Sequence, residues 1–150
     1  MRFDNAKVCQ APYFGPRDLA FSKDVRQTLM HGKRVLIVED SYLVAAALAD
    51  VLGEQGAVIL GPVSSSDAAL EILREQTVDG ALLDVQLSDG DCTKVAADMN
   101  ERHVPFVLVT GYERSTLPME LRREPYLVKP SPYDELLEVA RRTFWRTNLS

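Results

Sequence analysis

Four short runs of apolar residues each stop on a polar or charged side chain, and this repetition restricts the fold more than any other feature of the sequence. Residues 35–38 run into Glu39-Asp40, 81–83 into Asp84, 105–109 into Thr110, and 126–128 into Lys129. A continuous apolar run of this length marks a strand buried on both faces. A buried carboxylate is costly unless it is paired or bound to a cation, and in "KRVLIVED" two stand side by side. Either these strands end at the surface on ordinary solvated residues, or their ends assemble a site.

The segments between the runs read as helices. Residues 41–55 carry Val44, Ala47, Leu48 and Val51 at helical spacing, and Gly56 stands where such a helix stops. Residues 57–60 form a further apolar run, closed by Gly61-Pro62, and Ser66 then reads as the cap of the next helix. Residues 93–102 present Val95, Ala96 and Met99 as a buried stripe. In the last helix Ser131 is placed to cap, Pro132 suits the first turn, and Asp134 and Glu135 favour the positive end of the dipole. Leu137, Ala140 and Phe144 form its inner face, and Phe144 and Trp145 anchor it. Between Gly111 and Pro125 the chain is short and contains Pro118, which limits any helix there to one or two turns.

Strands alternating with helices predict an α/β fold with a parallel sheet covered on both faces. In such sheets function gathers beyond the carboxyl ends of the strands, at a topological switch point. Three carboxylates, a hydroxyl and an ammonium would then meet on one edge. The solvated reading of Glu39-Asp40 gives way to a site.

Composition narrows the classes of partner. A chain of 150 residues with 46% hydrophobic and 26% charged residues has room for one domain with a real core. Its net charge of −5, without a basic tail, speaks against nucleic acid. No stretch reaches the roughly 18 apolar residues of a membrane span, and the N-terminus lacks the apolar core of a signal peptide, so a soluble cytoplasmic protein is expected. Cys9 and Cys92 are far apart and read as inert, and His31 and His103 read as solvated. Residues 1–32 form an N-terminal extension, in which Phe21, Val25 and Leu29 predict a short amphipathic helix across 17–30 that packs on the rest of the chain or on a second copy.

Clustered oxygen ligands select a hard cation such as Mg2+. A lysine beside them would repel that cation, and makes sense where a dianion is also held. Thr110 adds a neutral donor for an oxygen of that anion. Together these are the parts that stabilise a transferring phosphoryl group, and one carboxylate can itself be the nucleophile, giving an acyl-phosphate. Neither GxGxxG nor GxxxxGK[ST] occurs, so the donor is not a nucleotide held by this chain.

Glu39-Asp40, Asp84, Thr110-Gly111 and Lys129-Pro130, with Tyr126 three positions before the lysine, appear in that order at successive strand ends. In this set residues 33–147 resemble a bacterial response-regulator receiver domain. The resemblance implies a flavodoxin-like, doubly wound, five-stranded parallel sheet of order 2-1-3-4-5. It implies Asp84 as phosphoacceptor, with Asp40, Asp84 and the Gln86 carbonyl as Mg2+ ligands and Glu39 acting through a metal-bound water. Thr110 and Lys129 would contact the phosphoryl oxygens. Thr110 and Tyr126 would be the switch pair, although Tyr126 reads equally as an ordinary strand residue, and Lys129–Pro130 would be a cis peptide. The implied protein is a single-domain regulator, phosphorylated by a histidine kinase or a histidine phosphotransfer protein, that signals by contact with a downstream protein. It is no enzyme beyond its own phosphorylation and dephosphorylation, and a homodimer is among the assemblies the sequence allows. The rivals are a phosphorylation-independent scaffold or binding module of receiver shape, and a Mg2+-dependent phosphatase, for which no general acid is recognisable.

Two departures from the pattern matter. "PFVLVTGY" and "GPVSSSDAAL" resemble a stand-alone subgroup whose fourth strand ends Phe-Ala-Thr-Gly, whereas this chain has Leu108-Val109-Thr110-Gly111. Ser88 replaces a proline common in the loop after the phosphoacceptor, which predicts a looser loop. Asp89 and Asp91 around Gly90 read as ordinary turn residues, and Tyr112 as a cover for the sheet edge.

Overall fold

The computed structural model describes residues 30–146. Five strands, β1 (Arg34–Val38), β2 (Val58–Val63), β3 (Gly80–Leu83), β4 (Phe106–Thr110) and β5 (Tyr126–Val128), form one parallel sheet. Their spatial order is β2-β1-β3-β4-β5, the flavodoxin-like order 2-1-3-4-5. Four helices connect or follow them: α1 (Tyr42–Glu54), α2 (Ser66–Glu75), α3 (Thr93–Glu101) and α4 (Tyr133–Arg146). Where a further helix would fit between β4 and β5, there are two single 3-10 turns, Arg114–Thr116 and Met119–Leu121.

The aliphatic runs are strands because they supply apolar side chains to both faces. In β1, Val35 and Ile37 join Leu48, Leu52, Leu136, Ala140 and Phe144 on the α1/α4 side. Leu36 and Val38 join Ala69, Leu73, Val95 and Met99 on the α2/α3 side. Every residue of β3 and β4 is buried. Gly80 is required at the start of β3, because a Cβ there would lie 2.6 Å from the Phe144 ring.

Several local expectations are corrected. β2 does not close at Gly61-Pro62 but runs through it to Val63, with a register irregularity opposite Leu36/Val38. An edge strand tolerates a proline, and Gly61 supplies a φ of +85°. The inner face of α1 is Ala45, Leu48 and Leu52, rotated one position from the expected stripe. Ser65, not Ser66, caps α2, its Oγ accepting from the Ala68 N–H at 3.1 Å. Ser66 is instead buried within the helix, and its hydroxyl donates to the Asp91 carbonyl. Ser131 donates to the Val128 carbonyl, and in α4 Leu136 is buried with Ala140 and Phe144 while Leu137 packs half-buried against the same core. The Lys129–Pro130 bond is cis, as is Gly61–Pro62. The helix expected across 17–30 lies outside the described residues except for Met30, which is buried beside Val35 and Ile37, and so do Cys9 and the Trp145 side chain.

Candidate functional site

The sheet register brings the strand ends together. The Asp84 N–H donates to the Val38 carbonyl at 2.8 Å, which sets Asp84 beside Glu39. The Lys129 N–H donates to the Thr110 carbonyl at 2.7 Å, which carries the lysine in from β5. Lys129 Nζ then reaches across the sheet ends to Glu39 Oε1 at 2.6 Å and Asp84 Oδ2 at 3.1 Å. Glu39 is 3% exposed, Asp84 7% and Thr110 0%, while Asp40 is open to solvent.

The electrostatics follow from this placement. Burial pushes the Glu39 carboxyl up to about 7, against the hydrogen bond from Lys129 that pulls it down. Burial alone would lower the Lys129 ammonium, but its bonds to Glu39 and Asp84 outweigh that and raise it. Two buried carboxylates thus share one ammonium, and a third, on Asp40, sits beside them. One oxygen from each of Glu39, Asp40 and Asp84 lies within 4.8 Å of the others. Three hard oxygen donors at this spacing fit Mg2+, which takes carboxylates and keeps several waters.

Thr110 and Gln86 complete the edge. Thr110 Oγ1 accepts from the Tyr112 N–H at 3.1 Å, so its own proton remains to donate. The Gln86 N–H donates to Asp84 Oδ1 at 3.3 Å. The Tyr112 hydroxyl donates to Gln86 Oε1 at 2.5 Å, tying the loop after β3 to the loop after β4. The sequence reads Tyr112 as an edge cover, and no local pattern tells that its hydroxyl reaches the Gln86 side chain across the β3–β4 pair.

The loop after Asp84 is not loosened by Ser88. The Ser88 N–H and hydroxyl both donate to the Ser64 carbonyl, at 3.0 and 2.9 Å. Asp89 is more than a turn residue: its carboxylate accepts from the Ser66 and Asp67 N–H groups at the start of α2, at 2.8 and 3.2 Å. The Ser66 bond chiefly holds the Asp89 carboxyl below its ordinary value. Asp91 accepts from the Thr93 N–H at 2.9 Å, where α3 begins. Burial pushes the Cys92 thiol up to about 12, which leaves it inert as expected.

Tyr126 is half-buried and faces a partner that the sequence did not suggest. Its hydroxyl accepts from the Arg114 N–H at 3.2 Å, and the Arg114 guanidinium stacks 4.2 Å from its ring centroid.

Residues 35–141 match the family model of the response regulator receiver domain. The transcriptional regulatory protein PdtaR of Mycobacterium tuberculosis is 31% identical over 110 residues, covering 70% of this chain and 53% of PdtaR. The chain therefore spans about half the length of the curated relatives it matches. The solution structure of SdrG from Sphingomonas melonis superposes with a TM-score of 0.66 at 32% identity, covering 76% of this chain and 97% of SdrG. A CheY-like receiver domain protein from Methanospirillum hungatei gives 0.69 at 22% identity, over 79% of this chain and 98% of the other, and supports the fold alone. Among the described residues no helix is long and apolar enough to cross a membrane.

Proposed function

The chain belongs to the response-regulator receiver family, and from that premise we propose that it is a phosphoacceptor switch charged on Asp84 by a histidine kinase or a histidine phosphotransfer protein. An Asp84 carboxylate oxygen forms the new bond to phosphorus as the bond from phosphorus to the donor's imidazole nitrogen breaks. That nitrogen leaves with the electron pair and is protonated from solvent, and an acyl-phosphate remains. Lys129 exchanges a carboxylate partner for a phosphoryl oxygen, and the Thr110 hydroxyl donates to another. Asp40, Asp84 and the Gln86 carbonyl would hold Mg2+, with Glu39 reached through a water; the ion, when bound, neutralises charge on the transferring oxygens.

The observation that carries this reading is Lys129 Nζ at 3.1 Å from Asp84 Oδ2, within a cluster of three carboxylates. An ammonium inside a cation site is explained by an anion that both must hold. In this reading residues 33–147 are the receiver unit and 1–32 an extension, and the cytoplasmic output is contact with a downstream protein. Acetyl phosphate or phosphoramidate with Mg2+ should add one phosphoryl group by intact mass, and Asp84→Asn should abolish it. Equal labelling of the variant would overturn the assignment.

A further inference from the structure

We propose that Arg114 is a positioning residue that holds Tyr126 in its resting place and thereby sets how readily the site converts to its charged arrangement; this rests on the phosphoacceptor reading above. The segment between β4 and β5 has no full helix to pack it, only the two 3-10 turns. Its apolar anchors are Leu117 and Leu121, each 1% exposed. Arg122 bonds to the Leu117 carbonyl and Asn100 to Glu124, and Arg114 closes the segment onto Tyr126. The guanidinium donates through Nη1 to the Glu124 carbonyl at 3.0 Å and to the Arg122 carbonyl. The same group lies over the Tyr126 ring at 4.2 Å, and the Arg114 N–H donates to the Tyr126 hydroxyl at 3.2 Å.

One residue therefore grips Tyr126 by its ring and by its hydroxyl while fastening the chain just before β5. Arg114 stands four residues after Thr110, and Tyr126 three before Lys129. Thr110 pairs with Val128 across β4 and β5. Any shift of Thr110 and Lys129 toward a new anion pulls on both ends of this closed segment. Tyr126 can follow only by giving up the stack and the hydroxyl bond. The grip is exposed, so its strength is modest and a population shift can overcome it. The planar guanidinium matters: its face lies on the ring while Nη1 donates to both carbonyls, and a lysine ammonium has no flat face to stack.

Two variants and one coupling measurement test this on the full chain. With 13C-labelled tyrosine rings, Tyr126 signals, assigned with Tyr126→Phe, should move or broaden in both Arg114→Ala and Arg114→Lys without any phosphodonor. With phosphoramidate and Mg2+, both variants should be phosphorylated about threefold to tenfold faster, the change that loss of the guanidinium's stack and its two carbonyl bonds permits while the backbone N–H bond to the Tyr126 hydroxyl remains. In a Tyr126→Leu background the same Arg114 change should add nothing, because its action passes through Tyr126. A purely structural arginine would lower the Tm but give the same rate change with or without the tyrosine, which would overturn the proposal. Unchanged Tyr126 signals in both variants would overturn it too. If Tyr126 signals move but no protein takes up phosphate, the grip stands and the phosphoacceptor reading falls.

Discussion

Two loops leave the same edge of the sheet, and they are held in opposite ways. The acceptor loop, after β3, is fastened to neighbouring elements at nearly every residue. Ser88 bonds twice to Ser64, Asp89 accepts two N–H groups at the start of α2, and Asp91 takes the Ser66 hydroxyl and the Thr93 N–H. The segment after β4 is held by two leucines, by Arg114 and Arg122 within the segment, and by single side-chain ties from Tyr112 to Gln86 and from Asn100 to Glu124. The difference teaches a division of labour. In the proposed switch Asp84 needs a fixed approach, because misplaced reacting groups lose much of the benefit of orientation. The part that reports its state must have a second arrangement within reach, so it is drawn from the weakly held regions of the fold.

Damage beneath both loops should have the largest effect and should not discriminate between them. Gly80→Ala drives a Cβ into the Phe144 ring at 2.6 Å and should cost about 3 kcal/mol in urea unfolding. Next comes the point where both loops meet. Lys129→Ala leaves buried Glu39 and Asp84 without their ammonium, and should cost the metal-free protein about 2 kcal/mol at pH 8. The figure is below that of a fully buried pair because Lys129 remains 24% exposed. The variant should still be phosphorylated to some extent, yet show a blunted response in partner binding.

Smaller changes sharpen the contrast. Arg114→Ala should cost about 1 kcal/mol, with increased amide exchange confined to residues 111–126. Asp89→Ala acts on the other loop and should raise exchange at residues 86–92 and at the first turn of α2. Its sign with pH is fixed by the lowered Asp89 carboxyl. The stabilisation is full above the ordinary value of 3.8 and is lost as pH falls through the lower folded-state value. Wild type and Asp89→Ala should therefore differ in Tm at pH 6, and the difference should shrink as pH falls below 3.8.

The strand ends were legible because apolar runs of three to five residues, closed by a polar side chain, are too short for a buried helix and leave that side chain at the sheet's edge. Glu39, Asp84, Thr110 and Lys129 meet as that logic requires. The failures share a different cause. Asp89 looks like a turn former until α2 is known to begin beside it, and no local pattern encodes that neighbour. Ser65 and Ser66 are chemically the same residue, and only the tertiary bond to Asp91 decides which one caps. The stripe of α1 was misplaced by one position because "YLVAAALADVL" is apolar nearly all round, so Tyr42 and Leu43 can stay exposed. Arg114 escaped notice because an exposed arginine in a short loop carries no signal until Tyr126 and the carbonyls of Arg122 and Glu124 surround it.

The division between the two loops is tested most directly by amide hydrogen exchange on the wild-type chain with Mg2+, before and after phosphoramidate, at a charge state verified by intact mass. Exchange in residues 111–128 should change on charging, while residues 86–92 keep their protection. A change concentrated in 86–92, or spread evenly over both loops, would contradict a fixed acceptor and a movable reporter.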